Sequence, residues 1–257
     1  MKTLLHACCG PCSLEPVRLL KEQGHELTIG YMNSNIHPTE EYEHRLNTLL
    51  DWARDEGLPV VAGEYDPSKW TAAVGSPDTW GEGHIERCRR CYRMRLEAAA
   101  DYAAANGFEA LSTTLAVSPY QFTEVIHEEL EAVAVQHGLT VVFEDFRPYY
   151  PEATRRSRAL GMYRQNFCGC GPSKAEAAAE REEFKRRRAE ERARREAELA
   201  PQRAAEAEER AKRKAERAAY EAKQHAKRMM REAARKARKE AAASSDDARA
   251  AASRHAG

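Results

Sequence analysis

Seven cysteines are the residues of this sequence whose types and spacing most directly indicate chemistry. They form three tight groups, which are Cys8-Cys9 with Cys12, Cys88-x-x-Cys91, and Cys168-Gly-Cys170. Packing alone gives no reason for such grouping. Four or more thiolates brought together from separate loops are the ligand set of zinc or of an iron–sulfur cluster. The sequence therefore predicts a metal centre assembled from distant segments.

Zinc and iron–sulfur clusters make different demands on the adjacent pair Cys8-Cys9. Neighbouring side chains diverge, which suits the spread iron corners of a cluster better than a single tetrahedral zinc ion. A structural zinc site is the alternative. Cys168 and Cys170 would close a small strained ring when oxidised, and strained disulfides tend to be catalytic or regulatory. The alternative for this pair is that one of the two thiols is a further metal ligand.

The composition separates a body from a tail. Residues 1–170 contain every Cys and Trp and carry 16 Lys and Arg against 24 Asp and Glu, whereas residues 171–257 carry 25 against 17. We predict a catalytic domain over residues 1–173 and an Ala/Glu/Arg/Lys-rich helical tail over residues 174–257. Pro201 should kink or break the tail helix, and its end, from Ala241, should be disordered.

The sequence has no run of roughly 18 apolar residues that would span a bilayer. Its N-terminus also lacks the apolar region of a signal peptide. We therefore expect a cytoplasmic protein without a membrane partner. In that reducing compartment, clustered cysteines indicate metal binding or redox catalysis more often than structural disulfides.

Strand-like and helix-like segments alternate along the body. Strands are predicted at 3–7, 26–32, 58–62, 110–114 and 140–143, and helices at 14–22 after an N-cap at Ser13, 39–56, 88–106 and 121–137. Such alternation predicts an α/β fold with a parallel sheet flanked by helices. Ligand sites in these sheets lie at the carboxyl ends of the strands. Cys8 and Cys9 directly follow strand one, and residues 112–120 directly follow strand four.

Five segments together carry a family resemblance: HACCGPCS, YMNSNIHPTEEYEHR, ERCRRCYRMRLEAAA, STTLAVSPYQ and MYRQNFCGCGPS. In this order they resemble the cobalamin-independent epoxyqueuosine reductases of the QueH type. The resemblance implies a sheet related to the adenine nucleotide alpha-hydrolase and PP-loop fold. It also implies the last step of queuosine biosynthesis, in which epoxyqueuosine at the tRNA wobble position is reduced to queuosine and the oxygen leaves as water.

The resemblance further implies roles for individual cysteines. Cys8, Cys9, Cys88 and Cys91 match the ligands of a 4Fe–4S cluster, and Cys168 with Cys170 match a redox-active pair that forms a disulfide. Some members hold an additional mononuclear iron, with an Asp where this chain has Cys12. Either Cys12 is a ligand of that second iron or the iron is absent. With a second iron, one of Cys8 and Cys9 and one of Cys168 and Cys170 would also ligate it, and the cluster would keep three protein thiolates. The implied partners are a tRNA with a GUN anticodon carrying epoxyqueuosine and an electron donor.

Removing an epoxide oxygen requires two electrons and a group that protonates the departing oxygen. The candidate proton donors by position are His6, His37, Glu40 and Tyr120. His6 is more typical of a core residue with its hydrogen bonds satisfied, and His37 is equally consistent with a capping role.

Two other functions fit part of the pattern. One is a cluster-dependent PP-loop-like tRNA sulfurtransferase, disfavoured because CCGPCS replaces the Gly-rich phosphate-binding loop after strand one. The other is a non-catalytic zinc-binding module. The basic tail is consistent with RNA phosphate binding or with a solvated helix that has no such role.

Overall fold

The structure is a computed structural model that describes residues 1–254, with side chains described for residues 1–236 and 238. It divides into two compact units, Met1–Arg181 and Glu182–Gly257. The strands of the first unit are β1 Lys2–His6, β2 Glu26–Tyr31, β3 Val60–Ala62, β4 Ala110–Thr113 and β5 Thr140–Val141. The helices are α1 Gly10–Glu22, α2 Thr39–Asp55, α3 Pro67–Val74, α4 Ile85–Ala105, α5 Thr123–Gln136, α6 Tyr150–Ala159 and α7 Gly171–Arg254, the last of which continues into the second unit.

The five strands form one parallel sheet in the order β3-β2-β1-β4-β5. This confirms the predicted α/β class. The central strand β1 pairs with β2 on one side and with β4 on the other, so the direction of winding reverses at β1. In open α/β sheets, the carboxyl ends of the strands at such a reversal form the crevice that binds ligands.

Helices cover both faces of the sheet because successive side chains of β1 point to opposite faces. Leu5 is buried in one core with residues of α1 and α2, including Leu14 and Leu49. Leu4 is buried in the other core with residues of α4 and α5, including Leu96 and Leu130. The strand therefore reads as an apolar run rather than as an alternating one, which is typical of a buried parallel strand.

Some element boundaries differ from those predicted. Helix α1 begins at Gly10 with Cys9 as its N-cap, so the predicted N-cap Ser13 lies inside the first turn and donates from its Oγ to the Cys9 carbonyl at 2.9 Å. Helix α4 begins at Ile85, before the CxxC pair. Helix α6 was not predicted, because its polar sequence YPEATRRSRA has little apolar periodicity.

The second unit is helical. Pro201 does not break the helix, whose flanking Ala, Glu and Arg residues all favour helix. The structure is also helical over 241–254, where disorder was predicted, while residues 255–257 lie outside the described part. Its ion pairs, such as Arg213–Glu209 and Arg217–Glu221, are exposed. None of the helices in the described part of the chain is apolar enough over a sufficient length to cross a membrane.

Candidate metal centre

The first group of cysteines lies in the turn that joins β1 to α1. The Sγ of Cys9 caps α1 by accepting a hydrogen bond from the backbone N–H of Cys12 at 3.4 Å. The Sγ atoms of Cys8, Cys9 and Cys12 all lie within 4.8 Å of one another. One turn therefore brings three thiols together, including Cys12, whose role the sequence analysis left open.

The three thiols of this turn differ in acidity. Hydrogen bonds from the Cys12 and Cys9 thiols hold the pKa of Cys8 well below its usual value. Burial raises the pKa of Cys9 to about 12, and the hydrogen bonds with Cys8 and Cys9 raise the pKa of Cys12. Cys8 is therefore the thiol that ionises first. Because metal ligation requires thiolates, metal binding at this turn would release the protons of the other two.

The other four cysteines come from α4 and from the loop before α7. Cys91 packs with Cys170 in a small buried cluster that also contains Trp70. Burial raises the pKa of Cys88 and of Cys168 to about 12 and that of Cys91 to about 11, and negative charge on neighbouring thiolates acts in the same direction.

Cys168, in the loop before α7, interacts electrostatically with the cysteine after β1 and with a cysteine of α4. Negative charge on Cys8 raises the pKa of Cys168, as negative charge on Cys91 and Cys170 also does. Cys8 follows β1, Cys91 lies in α4, and Cys168 and Cys170 precede α7. Cys8 and Cys88 also pack against the same core on the α4 and α5 side of the sheet, and Cys91 packs with Cys170, so packing contacts link the three groups near the carboxyl end of β1. In the described part of the chain, the one set of three metal-binding side chains whose ligand atoms all lie within 4.8 Å of one another is Cys8, Cys9 and Cys12.

Arg45 of α2 holds the loop that carries Cys168. Its guanidinium is fully buried and donates to the carbonyls of Cys168 at 2.9 Å and of Phe167 at 3.2 Å. The same side chain pairs with Glu41 at 2.7 Å, and Glu41 also accepts a hydrogen bond from the Tyr163 hydroxyl. The ion pair fixes the guanidinium, which in turn fixes the backbone at Cys168.

Gly169 permits the close approach of this loop to the rest of the site. Its φ is 138°, a conformation that favours glycine, and a Cβ there would lie 3.0 Å from Ile36 and 3.1 Å from the Asn35 amide. The Gly169 carbonyl accepts from the backbone N–H of His37 at 2.9 Å, and its N–H donates to Ser173 Oγ at 3.2 Å. The glycine between the two cysteines is thus required by backbone geometry.

Two glutamine side chains contact the sulfur atoms. Gln165 donates from Nε2 to Cys9 Sγ at 2.9 Å. Gln121 Oε1 accepts from the Tyr92 hydroxyl at 2.8 Å and from the Cys168 thiol at 3.9 Å. Where a thiol binds a metal, a hydrogen bond to its sulfur stabilises and tunes the metal–sulfur centre.

The surroundings of the thiols fit a metal–sulfur group. Three buried N–H donors, Trp70 Nε1, Arg87 Nε and Arg95 Nε, make no hydrogen bond of standard length and angle among the described residues. Trp70 and Arg87 nevertheless lie close enough to Cys91 and Cys88 for hydrogen bonding to lower the pKa values of those thiols. Trp70 packs with Cys91, and the charges of Arg87 and Arg95 lower the pKa values of cysteines at the site. Buried donors normally have acceptors. A thiolate-ligated cluster is rich in negatively charged sulfur and would supply them.

The predicted proton donors differ in burial. His6 is buried, and its ring lies 3.0 Å from Thr113 Oγ1 and 3.3 Å from the Met32 carbonyl. Burial lowers the pKa of His6 to about 3, so this ring stays neutral and is a satisfied core residue. Burial also lowers the pKa of His37. Glu40 and Tyr120 are exposed.

Several residues at the site were missed by the sequence analysis. Arg95 lies four residues after Cys91 on α4, a spacing that places both on one helix face and could have indicated its role. Arg45 and Gln165 reach the cysteines only through tertiary contacts between distant segments. Both residues lie in segments that carry the family resemblance, YMNSNIHPTEEYEHR and MYRQNFCGCGPS, which could have indicated them.

All seven cysteines are free thiols in the structure. The disulfide expected of an oxidised Cys168–Cys170 pair stays a prediction, as do the individual metal-ligand roles.

Comparisons with known proteins agree with this site. The family described as epoxyqueuosine reductase QueH matches residues 3–176. A protein of that name from Thermotoga maritima is 35% identical over 190 residues, which cover 72% of this chain and 96% of that protein. Another, from Dehalococcoides mccartyi, is 32% identical over 170 residues, which cover 66% of this chain and 90% of that protein.

Among solved structures, one described as a predicted subunit of tRNA methyltransferase from Methanocaldococcus jannaschii aligns with a TM-score of 0.44 and 13% identity, covering 62% of this chain and 75% of that chain. That likeness is too distant to indicate a shared function. The family match spans all three cysteine groups. Together with the two relatives, it shows that the chain belongs to the epoxyqueuosine reductase QueH family.

Proposed function

We propose that this protein is an epoxyqueuosine reductase that converts epoxyqueuosine at the wobble position of a tRNA to queuosine. The observation that carries the proposal is the convergence of the Cys8, Cys9 and Cys12 sulfurs within 4.8 Å after β1, with the other cysteines packed nearby, in a chain of this family. The proposed substrate is a tRNA with a GUN anticodon, and such a substrate is consistent with a cytoplasmic location.

We assign a 4Fe–4S cluster to Cys8, Cys9, Cys88 and Cys91, and an additional mononuclear iron to Cys12. Cys9 and Cys91 are buried and Cys8 and Cys88 are half-buried, and together with the N–H donors around them these thiols support a sulfur-rich anionic group. The close approach of the Cys12 sulfur to those of Cys8 and Cys9 supports its role as a ligand. When bound, such a centre supplies one-electron transfer and a Lewis-acidic iron.

The Cys168–Cys170 pair supplies the redox equivalents. Reduction of an epoxide to an alkene consumes two electrons and two protons and releases water. Oxidation of the dithiol to a disulfide provides both electrons and both protons, and an external electron donor then restores the dithiol. Gln121 orients the reacting sulfur because its Oε1 accepts from the Cys168 thiol and from the Tyr92 hydroxyl. Burial raises the pKa of Tyr92 well above its usual value, so that hydroxyl keeps its proton.

Tyr120 is placed to contact the RNA. Its side chain is 79% exposed, and it directly precedes Gln121, which contacts Cys168. Its ring packs edge-on against Tyr150 at 6.3 Å, which restricts its orientation. Unstacked RNA bases stack on aromatic side chains of this kind. We assign Tyr120 as the surface on which a base of the anticodon loop stacks.

A direct assay tests the function. Anaerobically reconstituted protein is given dithionite and tRNA carrying epoxyqueuosine, and the nucleosides are then analysed by mass spectrometry. We expect queuosine from the wild type and none from Cys168→Ser or Cys170→Ser. Unchanged epoxyqueuosine with an intact metal centre would contradict the proposal. Formation of a thiolated nucleoside in a parallel reaction supplied with ATP and sulfide would instead favour the sulfurtransferase alternative.

A further inference from the structure

Three arginines at the cysteine site have exceptionally buried side chains. Arg45, Arg87 and Arg95 are 1%, 2% and 1% exposed. Arg45 pairs with Glu41, and Arg87 forms a two-pronged ion pair with Glu176. A buried arginine with such a carboxylate partner has its charge balanced within the protein.

Arg95 is different from the other two. Within the part of the chain that the structure describes, it forms no ion pair with a carboxylate, and its one hydrogen bond runs from Nη2 to Asn33 Oδ1 at 2.6 Å. Its Nε has no acceptor there. A guanidinium does not lose its proton in a protein. Arg95 therefore carries a buried positive charge that no acidic side chain balances, which is strongly unfavourable unless another anion is present.

The groups that surround Arg95 identify that anion. Cys91 lies one helical turn away on the same face of α4. Asn33, which accepts from Arg95, donates in turn from Nδ2 to the carbonyl of Ala7 at 2.8 Å, and Ala7 directly precedes Cys8. Burial lowers the pKa of Arg95, but thiolate charge on Cys91, Cys8 and Cys168 raises it by more. These three cysteines come from the three separate groups.

We propose that Arg95 is the counter-ion of the metal–sulfur centre and sets its reduction potential. The inference rests on the proposed iron–sulfur centre and not on the RNA substrate. A reduced centre carries one more negative charge than an oxidised one. A fixed positive charge buried nearby stabilises the reduced form more than the oxidised form, and so it raises the potential. Arg95 is a positioning residue as well, because the contacts through Asn33 hold the turn that carries Cys8.

The test compares two substitutions at the same site. Arg95→Gln removes the charge and keeps an N–H donor toward Asn33, whereas Arg95→Lys keeps the charge. Arg93→Gln is the control, since Arg93 lies on the same helix but its side chain is 42% exposed and pairs with Glu129. Each reconstituted protein is titrated anaerobically without tRNA, and the midpoint potential is followed by absorbance and electron paramagnetic resonance, with iron and sulfide determined for each sample.

We expect Arg95→Gln to shift the midpoint potential to more negative values, or to lose the centre altogether, while Arg95→Lys and Arg93→Gln keep the wild-type potential. An Arg95→Gln protein with a full centre at the wild-type potential would overturn the proposal. So would an Arg95→Lys protein whose potential is displaced or whose centre is lost, because the charge would then not be the property that matters. If Arg95→Gln does not fold, the Lys variant decides by the same criterion. A wild type that binds no redox-active centre would instead refute the proposed function itself.

Discussion

The two ends of the β-sheet carry charge in different ways. At the carboxyl end, Arg45, Arg87 and Arg95 are buried among the cysteines. At the amino end, charged contacts lie at the surface. There Lys2 donates to the Asn106 carbonyl at 3.1 Å, and His137 lies 2.9 Å from Asp101, a carboxylate that is 75% exposed. Surface pairs are worth little because water screens them, whereas breaking a buried pair leaves an uncompensated charge.

This difference in burial distinguishes charged residues that position the site from charged residues that lie on the surface without such a role. Buried charge is unfavourable in a protein interior. The buried arginines in the described part of the chain all lie around the thiols, where Arg45 fixes the Cys168 loop and Arg87 fixes the start of α7. Substitutions at the carboxyl end of the sheet should therefore have larger effects than substitutions at its amino end.

The largest effect is expected at Arg45. Arg45→Met removes the buried partner of Glu41 and both donors to the Cys168 loop, so the free energy of unfolding should fall by about 3–5 kcal/mol. Arg54→Met is the matched control on the same helix, because both partners of the Arg54–Asp51 pair are more than 70% exposed. Arg54→Met should reduce the free energy of unfolding by less than about 1 kcal/mol. Equal losses of unfolding free energy in the two variants, measured by urea unfolding, would contradict the difference between buried and exposed pairs.

Gln165 should have the next largest effect. Gln165→Leu removes the N–H donor to Cys9 Sγ and keeps the approximate size of the side chain. Loss of such an outer contact should weaken iron retention by roughly 10–100-fold, measured by competition with a chelator. Gln136→Leu, at the last residue of α5, is the control. Wild-type retention in the Gln165 variant would show that the contact does not support the metal centre.

Tyr120 should affect RNA handling without affecting the metal. Tyr120→Ala should weaken binding of an anticodon stem-loop by about 1–3 kcal/mol, the usual contribution of one stacked base. Tyr120→Phe keeps the ring and should bind as the wild type does. Tyr220→Ala, which removes a tyrosine that is 64% exposed in the tail, serves as the control. A loss in the Tyr220 variant equal to that in the Tyr120 variant would argue against a specific platform.

The smallest effect is expected at the amino end. Hydrogen bonds to the Val133 carbonyl and to Asp101 raise the pKa of His137. A raised folded-state pKa contributes stability below the ordinary value of about 6.5 and loses it as the pH rises through the folded-state value. His137→Gln should therefore reduce stability by less than about 1 kcal/mol at low pH, with the difference disappearing above neutrality. A difference that grows with pH would have the wrong sign.

The sequence predicted the fold better than the site. Strand β1 and the cysteines after it were recognisable because a buried parallel strand is a local apolar run. The cap of α1 was misplaced because a cysteine sulfur, and not the hydroxyl of Ser13, accepts from the helix N-terminus. Arg45 and Gln165 lie in segments that carry the family resemblance, but their contacts with Cys168 and Cys9 join residues more than a hundred positions apart. Their roles therefore depend on tertiary contacts.

The central claim is that Cys8, Cys9, Cys88 and Cys91 hold a redox-active iron–sulfur cluster. The most direct test is to determine iron, acid-labile sulfide and zinc in anaerobically purified protein, together with its electron paramagnetic resonance spectrum after dithionite reduction. We expect brown protein with iron and sulfide in cluster stoichiometry and a signal that appears on reduction. Colourless protein with stoichiometric zinc and no such signal would contradict the claim.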